Sequence, residues 1–212
     1  MADTYADVQT QVASDLKRSD LTTAIAAEIL NAIRDHSEER FWFNETRSYS
    51  LSLSAGTSAY ALSSSGTVQE FIRIDRVDLG ISSSQRVRLD YVSPEEMADL
   101  HLTDSTSQPS RWTHYADQVR VHPIPGTSYT ATIHGHVKLT TLSAGSSANA
   151  WTSSGAAQNL IRYSALKRLY AYPIRNVEQA QVATAAETLE LEYLRRSTDR
   201  RKRSGRMQPY YG

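Results

Sequence analysis

The sequence predicts an α+β fold: a helical bundle frame made by both ends of the chain, an inserted antiparallel β domain, and a basic extended C-terminal tail. Three observations predict it. Apolar residues recur at helical spacing in residues 5–36 and again in 160–194. Between Thr46 and Leu139 the period changes to two. The last eighteen residues carry seven Lys or Arg against one Asp, with no apolar period. The expected domains are 1–45 with 156–199 as the helical core, 46–139 as the β domain, 140–155 as a Ser/Ala-rich loop and 200–212 as a tail.

At the N-terminus, Thr4 is placed to cap a helix whose apolar face is Tyr5, Val8, Val12 and Leu16. Asp20 or Thr22 can cap a second helix that presents Ile25, Ile29, Ile33 and His36 and runs to about Arg40. Alanines at 24, 26, 27 and 32 favour helix and allow a neighbouring helix to approach closely. His36 on that face reads as packed or hydrogen-bonded. Arg40, Phe41, Trp42 and Phe43 follow. Three consecutive aromatics cannot share one side of an element, so they read as a structural corner that fills the seam with the β part. Base stacking is the alternative reading.

In the β region, Tyr49, Leu51 and Leu53 alternate with serines, Ala55-Gly56-Thr57 turns the chain, and Tyr60 and Leu62 resume. Ser63–Thr67 is a loop and Phe71–Leu79 a strand, bounded by Gly80 and the serines at 82–84. Val87, Leu89 and Tyr91 alternate again. Ser93-Pro94-Glu95-Glu96 starts a short helix to about Leu100, with Ser as cap and Pro at the first position. Trp112–Tyr115 and Val119–His122 form a hairpin with Asp117-Gln118 at its tip, ended by Pro123 and Pro125. Tyr129, Ala131, Ile133 and Val137 line a last strand. Residues 140–155 are a loop anchored by Trp151.

The last third carries two helices. One presents Leu160, Tyr163, Leu166, Leu169 and Tyr170 and is interrupted by Pro173. The second restarts at Asn176 with Gln179, presents Val177, Ala180, Ala183, Ala186, Leu189, Tyr193 and Leu194, and ends near Thr198. The first and last helices are expected to pack on each other, since neither pair hides its stripe alone. Formal charge is zero, yet residues 1–194 hold 16 basic and 22 acidic groups. The body is acidic and the terminal arm basic, which fits an acidic groove or a nucleic acid as partner. The arm consists of Arg195, Arg196, Arg200, Arg201, Lys202, Arg203, Arg206, Met207, Tyr210 and Tyr211. Its Arg residues would pair with carboxylates and its tyrosines would be buried anchors.

Chemistry classes fall away. There is no cysteine, hence no disulfide framework, thiolate metal site or cysteine nucleophile. No apolar run approaches the roughly 18 residues of a membrane span, and the polar N-terminus is no signal peptide. The expected protein is soluble, with no membrane partner. His134 and His136 share one face of a strand, but that face reads as polar and solvated, without a nearby acidic third ligand. Asp75, Asp78 and Asp90 lie near strands and read as exposed-face acids. Ser164-Ala165-Leu166-Lys167 matches a Ser-x-x-Lys string without its companion motifs. The expectation is no enzyme, no catalytic residue, no metal and no cofactor.

The layout resembles a family, the head-to-tail adaptor, connector or head-completion proteins of tailed bacteriophages. The resemblance lies in the corner Glu39-Arg40-Phe41-Trp42-Phe43-Asn44-Glu45 and the serine-rich strand pair from Ser50 to Leu62. It continues in Val92-Ser93-Pro94-Glu95-Glu96-Met97, in Val119–Pro125 and in the break Tyr170-Ala171-Tyr172-Pro173. It implies a structural virion protein of the neck, made in the host cytoplasm. Such proteins form a ring of twelve copies below the portal, prolong the DNA channel without sequence readout, and offer a platform to a tail or nozzle protein. It further implies that the C-terminal arm docks into the portal. The other class of function is a nucleic-acid-binding module that uses the basic arm on phosphates.

Overall fold

The structure is a computed structural model that describes residues 3–62, 68–82, 84–103, 105–143, 145 and 147–203. The chain is mixed α+β, with six α-helices among the described residues. It divides into two compact units, Met1–Asn44 with Leu139–Gly212, and Glu45–Lys138. Of the expectations above, the Ser63–Thr67 loop and part of the serine cluster at 82–84 lie outside the described residues.

The first unit is built from α1 (Tyr5–Leu16), α2 (Thr22–Ser37), α4 (Ala150–Ser153), α5 (Gly155–Ala171) and α6 (Val177–Arg203). Helix α1 starts where its sequence says it should. Thr4 accepts from the Asp7 amide and Asp7 returns a bond to the Thr4 amide, so two orphan donors are satisfied together. Tyr5, Val8, Val12 and Leu16 are all buried. Helix α2 differs in its ends. Its N-cap is Leu21, with no side-chain cap, because Asp20 is held by the Arg18 guanidinium at 2.6 Å and Thr22 is already helical. It stops at Ser37, whose hydroxyl donates to the Arg34 carbonyl, and so falls short of Arg40. Ile25, Ile29 and Ala32 are buried; Ile33 is only half-buried.

Helix α5 is the centre of this unit, packed by α1, α2, α4 and α6. Its interior positions Ala157, Leu160, Ile161, Ala165, Leu166 and Leu169 are buried on several sides, as a helix with neighbours all round requires. Cations on its flank tie it to the N-terminal pair. Arg162 donates twice to Asp15 of α1, each bond 2.6 Å, and Arg168 reaches Glu28 and Asp35 of α2. The stretch expected as a loop ends differently. Asn149 accepts from the Trp151 amide and opens a helical turn, α4, that buries Trp151 almost completely.

The second unit holds two four-stranded sheets and one short pair. Its strands are β1 (Glu45–Leu53), β2 (Ala59–Ala61), β3 (Val68–Gly80), β4 (Arg86–Arg88), β5 (Asp90–Tyr91), β6 (Thr106–Ser107), β7 (Arg111–Tyr115), β8 (Gln118–His122), β9 (Ile124–Pro125) and β10 (Tyr129–Leu139), with α3 (Pro94–Leu100) between β5 and β6. The sheet orders are β1-β10-β3-β4, β2-β8-β7-β5 and β6-β9. The serine-rich segments therefore do not pair with each other: β1 pairs with β10 and β2 with β8. The turn between them is closed by the Tyr60 hydroxyl, which donates to the carbonyls of Ser54 and Thr57. Nor is the unit purely antiparallel. β5 runs parallel to β7, and β6 parallel to β9. The alternation over Val87–Tyr91 conceals a change of sheet at Leu89, after which the chain leaves β3 and joins β7. Ser93 caps α3 by accepting from the Glu96 amide, as its sequence predicts. The β7–β8 hairpin turns on Ala116-Asp117, both left-handed, one residue earlier than the expected tip.

His134 and His136 also differ from expectation. His136 is buried, and His134 Nε2 lies 3.2 Å from Asp78 Oδ2, itself a buried carboxylate that also takes Arg76. His136 and Asp78 are thus covered, while the same side of β10 exposes Thr130 and leaves Thr132, His134 and Lys138 half-buried.

Gly135, between these two histidines, has a backbone reason to be glycine. A methyl there would stand 2.3 Å from the Arg73 carbonyl oxygen and 3.2 Å from the Ile74 Cα, both main-chain atoms that cannot swing away. Gly135→Ala is expected to cost about 2 kcal/mol or more by forcing the strands apart. At roughly 2–4 °C per kcal/mol, thermal unfolding should move down by several degrees. An unchanged melting temperature would show that β3 and β10 yield freely there.

Candidate assembly site at the end of the last helix

Two groups of residues stand out in the sequence, the aromatic corner and the basic arm. The structure brings part of each together in the helical unit. The corner is shaped by Asn44. Its side-chain oxygen accepts from the Phe41 amide at 2.7 Å and its amide nitrogen donates to the Glu39 carbonyl at 2.8 Å. Phe41 is fully buried, stacked on Phe43 at 5.4 Å between centroids and edge-on to Trp151 at 5.9 Å. Phe43 meets Trp151 at 5.0 Å, and Trp42 meets Phe43 at 5.5 Å. Arg40 is half-buried.

Helix α6 runs onto this corner. It has 27 residues, roughly 40 Å of helix, and continues to Arg203, past the expected end near Thr198. Arg200, Arg201, Lys202 and Arg203 are therefore helical and not part of an extended tail. Four charges of one sign in a last turn suit the negative end of the helix dipole. Positions 195, 198 and 201 recur every three residues and so share a flank of the helix. Arg195 clasps Glu39 with two bonds of 2.5 and 3.0 Å, a geometry that raises its pKa through the hydrogen bond and the carboxylate charge. Thr198 Oγ1 accepts from the Trp42 amide at 3.2 Å. The Arg201 guanidinium lies 3.7 Å above the Trp42 ring. Arg196 turns outward and meets only Glu192 of its own helix at 3.0 Å, and Arg200 is exposed. The expected partner-binding residues Arg206, Met207, Tyr210 and Tyr211 lie outside the described residues.

The helix arrives at this position through a polar tie. The expected stripe is buried only in part: Ala183 and Leu194 are buried, while Val177, Leu189 and Tyr193 are exposed, the last two at 68% and 61%. The buried stripe is Ala183, Glu187, Leu194 and Thr198. Glu187 takes Lys167 Nζ of α5 at 2.5 Å and His36 Nε2 of α2 at 3.3 Å. Burial by itself would push this carboxyl up. Hydrogen bonds from His36 and Lys167, with the Lys167 charge, more than offset that and hold it at about 2. Sequence reasoning missed Glu187 and the contact of Thr198, because an acid or a threonine inside a helix carries no sign of a partner on a distant segment.

Among the described residues no cluster of three His, Asp or Glu is placed to hold a metal ion, and no helix is long and apolar enough to cross a membrane. A helical unit braced at an aromatic corner, with a cationic helix end beside it, defines a scaffold for assembly. The family model described as SU10 adaptor protein matches residues 3–210, and the chain belongs to that family, whose members are phage head-to-tail adaptors. It is a family of structural proteins, not of enzymes. No curated protein matches the sequence.

Two predictions follow from this geometry. The Glu187 carboxyl sits below its unfolded value of 4.5, so it stabilises the fold above that value. The stabilisation, roughly 3 kcal/mol at most, should fade as pH falls from about 4.5 toward 2. Glu187→Gln should flatten the acid limb of a stability–pH curve between those values; equal acid sensitivity in both proteins would remove the role given to this residue. At the corner, Phe41→Ala should cost about 3–5 kcal/mol. Arg201→Ala should cost about 1 kcal/mol or less and show chiefly as faster amide exchange in the last two turns of α6. If Arg201→Ala leaves that exchange unaltered, the guanidinium–indole contact does not hold the helix end.

Proposed function

We propose that the chain assembles as a ring of twelve copies below the portal, prolongs the DNA channel, and gives the tail or nozzle protein its platform. The residues beyond α6 form an arm that docks into the portal. The observation that carries this reading is the mount of the arm. Arg195, Thr198 and Arg201 fix the last turns of α6 against Glu39 and Trp42, so whatever follows Arg203 starts from a set position and direction. A docking arm gains from such a mount, because less orientational freedom is lost when it binds.

The chemistry of the arm agrees. Met207, Pro209, Tyr210 and Tyr211 follow Arg206. Arginine pairs with carboxylates through two parallel bonds, and terminal tyrosines serve as buried anchors in a protein groove. The acidic body suits a channel wall, since like charge keeps DNA from adhering. In this reading the aromatic corner Arg40–Phe43 is structural, the helical unit is the core of the adaptor, and residues 200–203 are the root of the arm and not part of it.

The deletion that tests this keeps the mount. A chain ending at Arg203 should fold with unchanged helix content and melting temperature, yet fail to form a ring on portal particles, where the full chain forms one. Full ring formation by the shortened chain would end the arm assignment. The nucleic-acid reading makes a different demand: duplex DNA binding by the free chain that falls steeply as salt rises from about 50 to 200 mM.

A further inference from the structure

Five large apolar side chains are exposed on the described helical unit, Tyr172, Val177, Val182, Leu189 and Tyr193, and all lie on α6 or the turn that leads into it. Three of them form a line. At 100° per residue, Val182, Leu189 and Tyr193 fall within about 40° of one another on the side of α6 that faces away from Glu187. Ala185 and Ala186 flank that line. The charges on the same side are sorted by end. Glu178 stands at the N-terminal end, and Arg196 and Arg200 at the C-terminal end.

We propose that this stripe is a contact between two copies of the chain, with the two α6 helices antiparallel across a two-fold axis near Leu189. The pattern is self-complementary in that arrangement. With Leu189 opposite its own copy, Tyr193 lies opposite the small Ala185, Arg200 opposite Glu178, and Val182 opposite Arg196, whose aliphatic stem can cover it while its guanidinium keeps Glu192. A parallel arrangement in register would set Glu178 against Glu178 and Arg200 against Arg200, which is repulsive. A contact of one stripe with a different patch would need a second exposed group of large apolar residues; the described helical unit has none, and the β unit offers Tyr91, Leu102 and Tyr115. An isologous contact needs one patch only.

This pair is a state of the chain outside the ring. A closed ring of more than two subunits cannot be made from one patch meeting itself between all neighbours. The paired state sets the Arg196 and Arg200 end of each copy beside the acidic end of the other, so it occupies part of the cationic surface at the root of the arm. The inference stands apart from the ring reading: an unassembled chain that proves monomeric and still forms a ring on portal would sink the first and leave the second.

The test uses the full chain, whose lack of cysteine makes single-cysteine variants clean. Under mild oxidation Leu189→Cys should form a covalent dimer, and Val177→Cys, on another side of the helix, should not. In sedimentation equilibrium the mass should rise with concentration from 23.7 kDa toward twice that value. Glu178→Arg should shift the curve toward monomer, and Glu178→Arg combined with Arg200→Glu should restore it. Leu189→Glu, at an exposed site, should abolish dimer with an unchanged circular dichroism spectrum. The proposal is overturned by a chain that stays monomeric throughout, by equal cross-linking at 177 and 189, or by a charge swap that does not rescue.

Discussion

One buried carboxylate sets the position of the longest helix. Glu187 sits in the face of α6 that packs inward, where the other buried side chains, Leu194 apart, are small or polar. Of the fully buried large residues in the helical unit, α6 contributes only Leu194, worth roughly 2 kcal/mol of apolar burial. Such a face slides easily along a neighbour. A desolvated charge does not, because leaving it without its partners costs several kcal/mol. Glu187 must meet Lys167 of α5 and His36 of α2 together. Those two partners come from different helices, so the tie fixes rotation and axial register at once.

Everything at the far end of α6 follows from that register. With Glu187 placed, Leu194 is buried, and Arg195, Thr198 and Arg201 come round to the flank that carries Glu39 and Trp42. The corner can receive them because it is rigid. Asn44 holds the backbone from both sides, and Phe41, Phe43 and Trp151 lock one another at ring distances of 5.0–5.9 Å. The consequence alters the meaning of the basic cluster. Counting cations in 195–203 overstates what a partner can meet, because Arg195 and Arg201 are engaged within the unit and Arg196 has Glu192. Part of the cluster is the fastening of the arm and not its reach.

What could be read from the sequence depended on how local the cause was. Helix α1 was legible throughout, since its cap, its capping partner and its apolar face lie within thirteen residues. The start of α3 was legible for the same reason. The stripe of α6 is legible only in part, because apolarity marks Leu189 and Tyr193, which are exposed, as readily as Ala183 and Leu194, which are buried beside Glu187 and Thr198. Their partners lie 20 to 156 residues away, beyond any periodic signal. The β unit shows the same limit. Alternation located the strands, but β1 finds β10 and β2 finds β8 across the sequence, and no turn residue records that choice. His136 is buried on the otherwise half-exposed side of β10, because period two fixes which residues share a side, not how deeply each is covered.

The charge order along α6 constrains assembly in its own right. Acids run along it as far as Glu192, at Glu178, Glu187, Glu190 and Glu192, and cations crowd its last turns. The helix dipole favours that order within one chain, so no partner is needed to explain it. Between chains it has a direction. In the proposed ring, copies with α6 running along the ring axis would carry these helices in the same sense, like end beside like end. Close lateral contact would then set the cationic ends against one another. The proposed ring would then be held by other surfaces, with the α6 helices spaced apart and their cationic ends gathered on one rim. That would repeat the end of α6 at every position of the rim, where an acidic groove in a ring-shaped partner would meet all copies at once. Weak individual contacts then add to a strong one, provided the spacing of the two rings allows simultaneous engagement.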